Sequence, residues 1–223
     1  MARDNSPQIR QLKRAELKTK RASFDRILIV TEGSKTEPSY FKEIKAHLRL
    51  PSTNISVLHS KMGTDPLSVV NYAQELFEKG DKNKTFEPRS FEKVFAVFDR
   101  DDHTTYFDAL TKAKSLDGKI KNDEKIYITF KAIPSIPCFE LWLLLHYEDV
   151  TSPVHRIEVF KKLRNHIPNY EKNSAKIFEN TKINLDAAFQ RAEALSKKFN
   201  VKDDSNPYSA IAELVKLLCN LKQ

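Results

Sequence analysis

Four short apolar segments, separated by stretches with helical spacing, most strongly constrain the fold of this 223-residue chain. The segments are Arg26–Thr31, Ile55–Leu58, Val94–Phe98 and Ile126–Ile133, and the first is a continuous run typical of a strand buried on both faces. Between them, apolar residues recur at intervals of three and four, as on one face of an α-helix. This alternation predicts an α/β fold: a mostly parallel sheet flanked by helices, with right-handed crossovers.

Individual residues indicate where the intervening helices begin. Pro38 is predicted to open the first helix. Asp65 before Pro66 gives the second helix a capping carboxylate and a proline at its first position. A third helix is predicted from about Thr104 to Leu116, and Pro137 precedes a fourth, apolar helix.

The strand pattern ends after Asp149, and two helical stripes follow. One runs from Leu185 to Phe199 and the other from Ile211 to Leu218, started by Asn206–Pro207. We therefore divide the chain into a basic arm (1–25), an α/β core (26–149) and a helical extension (150–223) packed on the core.

Positive charge is concentrated at the two ends of the chain. The whole carries 38 Lys and Arg against 30 Asp and Glu, a net charge of +8, while the middle is nearly neutral. A basic surface suits a polyanion, because neutralising phosphates releases counterions, although solubility alone also explains a modest excess. We expect nucleic-acid contact, with the arm supplying Lys13, Arg14, Lys18 and Lys20.

Composition also restricts the cellular setting. Apolar runs are far shorter than the roughly 20 residues that span a membrane, and no apolar core follows the basic N-terminus as in a secretory signal. Cys138 and Cys219 show no zinc-ligand spacing. We therefore expect a cytoplasmic protein without membrane contact.

Carboxylates gather where the predicted strands end. Glu32 follows the first strand, and Asp99 and Asp101 end the third. Ligands of open parallel sheets bind beyond the carboxyl ends of the strands, and alternate residues of an extended segment point the same way. Such a group favours Mg²⁺, which removes the repulsion between carboxylates. The alternative is that Asp101 or Asp102 merely caps the next helix.

Four sequence blocks together resemble the RloB-like proteins of bacteria. They are ILIVTEGSKTEPSYFKEI, VFAVFDRDDH, SIPCFELWLLLHY and NPYSAIAELVKLL, in this order and at suitable spacing. A strand ending in Glu-Gly, followed by one ending in Asp-x-Asp, also resembles the Toprim domain of topoisomerases, primases and OLD-type nucleases. The resemblance implies a Toprim-like sheet, and it covers the chain from about residue 20 to the C-terminus.

The resemblance also implies residue roles. Glu32, Asp99 and Asp101 become catalytic metal ligands for one or two Mg²⁺ or Mn²⁺ ions, joined by Glu37 and Glu140. For Glu37 the alternative is an ordinary carboxylate in the first turn of a helix. For Glu140, which opens an apolar helix, the alternative is a position facing solvent.

Basic residues beside the carboxylates are candidates for holding the substrate. Lys35 and Arg100 are predicted to contact phosphate, unless they merely balance charge, and His103 is interpreted as a loop residue rather than a ligand.

The function predicted from this combination is a Mg²⁺-dependent nuclease. By resemblance, it acts as an effector of bacterial anti-phage abortive infection with an AAA- or ABC-type ATPase partner. The alternatives are a non-catalytic nucleic-acid-binding or regulatory subunit, and a haloacid-dehalogenase-type phosphatase. The second is disfavoured because the Asp-x-Asp of that class ends the first core strand.

Overall fold

The computed structural model describes residues 25–51, 54–81, 83, 85–172, 174–199 and 206–221. Except for its last residue, Asp25, the basic arm lies outside this described part, and so do Lys13, Arg14, Lys18 and Lys20. Within it, a single sheet contains five strands: β1 (Ile27–Thr31), β2 (Ile55–His59), β3 (Lys93–Asp99), β4 (Thr129–Ile136) and β5 (Tyr208–Ser209).

The strand order β2-β1-β3-β4-β5 places the first strand between the second and the third. The first four strands are parallel, and only β5 pairs antiparallel, against the end of β4. The chain moves from β1 outward to β2 and then returns to the other side of β1 to form β3. The carboxyl ends of β1 and β3 are therefore the topological switch point at which open α/β sheets bind ligands. The predicted α/β class with a mostly parallel sheet is confirmed.

The described helices connect these strands and continue beyond them. They are α1 (Thr36–His47), α2 (Pro66–Lys79), α3 (Tyr106–Leu116), α4 (Glu140–Leu144), α5 (Arg156–His166), α6 (Ile177–Thr181), α7 (Leu185–Lys198) and α8 (Ile211–Asn220). A short 3₁₀ turn, Lys182–Asn184, joins α6 to α7. Among the residues that the structure describes, no helix is long and apolar enough to cross a membrane.

Each face of the sheet has its own hydrophobic core. Ile27 and Ile29 of β1 pack in a cluster with α1, α4 and the helices of the last third, whereas Leu28 and Val30 pack with α2 and α3. Successive residues of a strand point to opposite faces, so a strand covered on both sides is apolar throughout. This explains the continuous apolar run of β1. The C-terminal helices complete one of the two cores.

Two predicted boundaries shift for local reasons. The fourth strand runs three residues later than predicted, because Ile126 and Tyr127 are 53% and 60% exposed and belong to a loop. The side chain of Asn122 accepts from the backbone N–H of Ile126 at 2.9 Å and closes that loop. Likewise, Pro207 leads into β5, which was not predicted, and α8 begins only at Ile211.

The helix starts follow the sequence closely. Asp65 caps α2, its carboxylate accepting from the backbone N–H of Ser68 at 3.1 Å, as predicted. Helix α1 begins at Thr36, two residues before the predicted Pro38, and this places Glu37 in its first turn.

Candidate active site

Glu32 is fixed between the ends of β1 and β3. Its backbone N–H donates to the carbonyl of Val97 at 2.9 Å, which continues the parallel ladder by one residue. Its carboxylate Oε2 accepts from the backbone N–H of Asp99 at 2.9 Å. The first strand thus delivers a carboxylate directly onto the end of the third, as predicted from their positions in the sequence.

Asp101 reaches the same place through a turn. Strand β3 ends at Asp99, and Asp101 has a positive φ of 33°, an unusual conformation for a residue other than glycine. The prediction that an extended segment places Asp99 and Asp101 on one strand face is therefore wrong. Both residues nevertheless reach the site, because the chain turns after Asp99. Neither Asp101 nor Asp102 caps α3, whose N-cap residue is Thr105.

Three side chains of this edge can each offer one ligand atom to a single ion. Donor atoms of Glu32, Asp101 and His103 lie within 4.8 Å of one another, and Nε2 of His103 is 4.0 Å from Oε1 of Glu32. His103 is a loop residue, as the sequence suggested, but it lies at the site. Its position in the sequence, after the acidic pair, does not indicate that its side chain lies close to Glu32 and Asp101.

A cleft of about 590 Å³ opens over these groups. Among the described residues, its walls include four carboxylates and three cationic side chains: Glu32, Glu37, Asp99, Asp101, Lys35, Arg156 and Lys172. The cleft has the size of a small-molecule or nucleotide site. It combines groups for a cation with groups for an anion.

Glu37 reaches the cleft because residue 33 is a glycine. A Cβ on Gly33 would lie 2.4 Å from Oε2 of Glu37 and 2.7 Å from Oε1, closer than real side chains approach. Glu37 is buried in the first turn of α1, and its side chain also lines the cleft. The Glu-Gly pair after β1 therefore provides both a carboxylate and the space for a second one.

Glu140 is buried at the start of α4 and is 2% exposed, which rules out the alternative of a position facing solvent. The hydroxyl of Tyr170 donates to its Oε1 at 3.2 Å. Its other oxygen, Oε2, has no hydrogen-bond partner among the described residues. A buried carboxylate oxygen without a partner is costly, so this position favours a nearby cation.

The carboxylates shift one another's protonation. Burial, followed by the charges of Glu37, Glu32, Glu140 and Asp101, raises the pKa of Asp99 well above its usual range. Burial and the charge of Glu140 also raise the pKa of Glu37, and burial raises the pKa of Glu32 to about 7. A hard divalent cation relieves such repulsion, so this donor set fits Mg²⁺ or Mn²⁺.

Two cationic residues of the cleft come from the helical extension and had no sequence signal. Nη1 of Arg156 donates to Oδ2 of Asp101 at 2.5 Å. Lys172 is anchored through its backbone carbonyl, which accepts from the hydroxyl of Thr36, and its charge acts on Glu32 and Glu37. In the sequence, both belonged only to the general basic excess after residue 150.

The two cationic residues predicted beside the carboxylates are placed differently from each other. Lys35 lines the cleft, whereas Arg100 is not among its wall residues. Nη1 of Arg100 donates to the carbonyls of Asp101 and His103 at 3.1 and 2.9 Å, and its guanidinium lies over the ring of Tyr106. Arg100 therefore shapes the acidic loop from outside the cleft.

We expect the metal-free protein to lose stability as the pH rises from 6.5 to 8. Folding raises the pKa of Glu32 from 4.5 to about 7, so the folded state binds more protons than the unfolded state in this range. Stability is then lost as that proton is released, by about 1 kcal/mol over this window for Glu32 alone. Denaturant unfolding in EDTA measures this loss.

Two comparisons identify the source of the slope. Mn²⁺ should remove the decrease of stability with pH, and Glu32→Gln should make this decrease smaller in EDTA. His146 acts in the opposite direction, because burial lowers its pKa to about 4, but that contribution is largely complete by pH 6.5. Stability that increases with pH between 6.5 and 8 would contradict the proposed protonation of the carboxylates.

Comparison with known proteins supplies one match. A family model described as RloB-like protein matches residues 27–218. No match was found among curated proteins or among solved structures.

Proposed function

Since this chain belongs to the RloB-like protein family, we propose that it is a metal-dependent nuclease that hydrolyses phosphodiester bonds in nucleic acid. One observation carries the proposal. Carboxylates from both strands of the switch point meet cationic side chains in a single cleft. A nuclease needs this pairing, because its metal requires carboxylates and its substrate requires positive charge.

Glu32, Asp99 and Asp101 would hold the ion, with Glu37 in the same cleft and His103 close to Glu32 and Asp101. When bound, Mg²⁺ or Mn²⁺ supplies a Lewis acid for the phosphate oxygens and promotes deprotonation of the attacking water. Glu140 would contribute negative charge to the site. It is not a wall residue of the cleft, but its charge acts on both Asp99 and Glu37.

The remaining groups bind the substrate phosphate or transfer a proton. Lys35 and Lys172 lie where they can balance phosphate charge. If Glu32 does not ligate the ion, its carboxylate, whose pKa lies near 7, can exchange a proton at neutral pH, as a general acid or base must. Hydrolysis joins the water oxygen to phosphorus and breaks the bond to one ester oxygen, which leaves with a proton.

We further propose that an ATPase partner controls this activity in an anti-phage system. The support is the resemblance of the four sequence blocks to a family found with such ATPases. A non-catalytic nucleic-acid-binding subunit remains the rival function, and the assay below separates the two.

The purified protein is expected to cleave total cellular nucleic acid in Mg²⁺ or Mn²⁺, alone or with the proposed partner ATPase. EDTA should stop cleavage, and Glu32→Gln and Asp101→Asn should each reduce the rate by about 100-fold, because each removes a charged ligand or proton carrier. Gel electrophoresis of DNA and RNA pools gives the rate and the substrate class.

Glu124→Gln is the matched control. Glu124 lies in the loop next to Asp123, which pairs with Arg26 at the start of β1, so this loop is at the opposite end of the sheet from the site. The cleavage rate of Glu124→Gln should equal that of the parent. If the parent and the variants all bind nucleic acid and none cleaves it, the non-catalytic subunit is favoured. If all of them cleave at the same rate, the activity comes from a contaminant.

A further inference from the structure

Arg156 forms a common wall of two clefts. It is the first residue of α5, and it lines both the carboxylate cleft and a second cleft of about 400 Å³. The second cleft also contains Pro137, Pro153 and His155, and Asp101 borders both. Arg156 is therefore placed to contact a ligand in either cleft.

The guanidinium has unused donor capacity. It carries five N–H donors, and its hydrogen-bonding partner in the described part of the chain is Asp101. The side chain is 34% exposed, so it is reachable from solvent. Burial would lower the pKa of Arg156, but the charges of Asp101, Asp99 and Glu140 raise it overall, so the group stays cationic.

The ion pair uses a carboxylate that the metal also needs. Oδ2 of Asp101 accepts from Arg156, while an oxygen of the same residue lies within 4.8 Å of donor atoms of Glu32 and His103. A divalent cation at this group must compete with the guanidinium for the negative charge of Asp101. Binding of the ion therefore weakens the ion pair between Asp101 and Arg156.

We propose that Arg156 binds the phosphate of the nucleic acid next to the metal, and that Asp101 holds it in a resting position until the metal is bound. This inference rests on the proposed nuclease function. A guanidinium binds phosphate through two parallel hydrogen bonds, which the ammonium groups of Lys35 and Lys172 cannot do. Arg156 thus balances the charge of Asp101 before the metal binds and contacts the substrate phosphate afterwards.

The test compares the full-length parent with Arg156→Gln by calorimetric titration with Mn²⁺. The variant should bind Mn²⁺ about fivefold more tightly, since the competing ion pair is partly exposed and of modest strength. In Mn²⁺, its affinity for a labelled single-stranded oligonucleotide, tried as DNA and as RNA, should fall about tenfold or more. Cleavage should show the same loss as an increase in KM.

Lys161→Gln is the matched control, because it removes one positive charge from the exposed side of the same helix. It should leave Mn²⁺ affinity unchanged. Arg156→Lys keeps the charge but not the paired hydrogen bonds, so it should bind Mn²⁺ like the parent and still lose oligonucleotide affinity. Thermal unfolding of each protein confirms that the variants are folded.

The outcomes separate this inference from the function on which it rests. Equal or weaker Mn²⁺ binding by Arg156→Gln, beside clear binding by the parent, overturns the resting role while the nuclease proposal stands. Unchanged oligonucleotide affinity overturns the phosphate role. Failure of every protein to bind Mn²⁺ removes the metal site itself, and with it both proposals.

Discussion

Asp99→Asn is expected to make the metal-free protein more stable and at the same time to abolish metal binding and nuclease activity. Asp99 is 6% exposed, and burial and four neighbouring carboxylates raise its pKa well above the usual range. The fold therefore has to protonate this group or bury its charge at neutral pH. Asparagine has nearly the same shape and removes that cost, which we expect to be worth about 1–3 kcal/mol.

The same substitution removes a ligand from the centre of the acidic cluster. The amide of asparagine offers one neutral oxygen in place of a carboxylate, so Mn²⁺ affinity should fall below detection and the cleavage rate by about 100-fold or more. Denaturant unfolding at pH 7.5 in EDTA measures stability, and the same experiment in Mn²⁺ measures the lost stabilisation by the metal.

Asp117→Asn is a control for the general effect of removing an acidic charge. Asp117 is exposed at the end of α3, and its Oδ1 accepts from the backbone N–H of Phe130 at 2.9 Å. This substitution should not stabilise the protein and should leave Mn²⁺ binding intact. An Asp99→Asn protein that is less stable than the parent in EDTA, or that still binds Mn²⁺, would contradict the assignment of Asp99.

The strands at the centre of the sheet could be predicted because their sequences carry a complete local signal. Each residue of β1 is buried, and the apolar run ends where the polar site begins, at Glu32. The predicted bounds of β4 were less accurate, because Pro134 and Ser135 have the sequence of a turn although they lie in the strand beside β3. Their neighbours in space, not in sequence, keep them extended.

The acidic part of the site and Lys35 could also be predicted, whereas the two cationic residues from the helical extension could not. Glu140 attracted notice because a lone carboxylate in an apolar helix is unusual. It is buried, and its Oε2 has no hydrogen-bond partner within the part of the chain that the structure describes. Arg156 is 55 residues from Asp101 in the chain and has no distinctive neighbours in sequence. Its place in the cleft follows from how the helical extension packs on the sheet, which periodicity does not specify.

The positive φ of Asp101 illustrates a second limit. The Asp-x-Asp spacing predicted two carboxylates at one site, and both residues line the cleft, because either an extended segment or a turn can bring them there. The turn depends on long-range backbone bonds, in which the N–H of Arg100 donates to the carbonyl of Ser135 at 2.8 Å. No property of the three-residue motif distinguishes these two conformations.

Gly33→Ala is expected to disable the site without removing any of its ligands. The added Cβ would lie 2.4 and 2.7 Å from the two carboxylate oxygens of Glu37, so this side chain has to move. Gly33 does not have the left-handed backbone conformation that favours glycine, and alanine can therefore adopt its backbone without strain. We expect Mn²⁺ affinity to fall about tenfold or more and the cleavage rate about 100-fold, since small misplacements of catalytic groups are costly.

A double-mutant cycle tests whether this effect passes through Glu37. Glu37→Ala removes the atoms that the new Cβ would meet, so Gly33→Ala should add little further loss in that background. Ser39→Ala, at an exposed position of α1, provides the control for a substitution near the start of the helix and should behave like the parent. If the two losses are instead additive, Gly33 acts through the backbone at the end of β1, and the contribution of Glu37 to metal binding must be independent of its contact with Gly33.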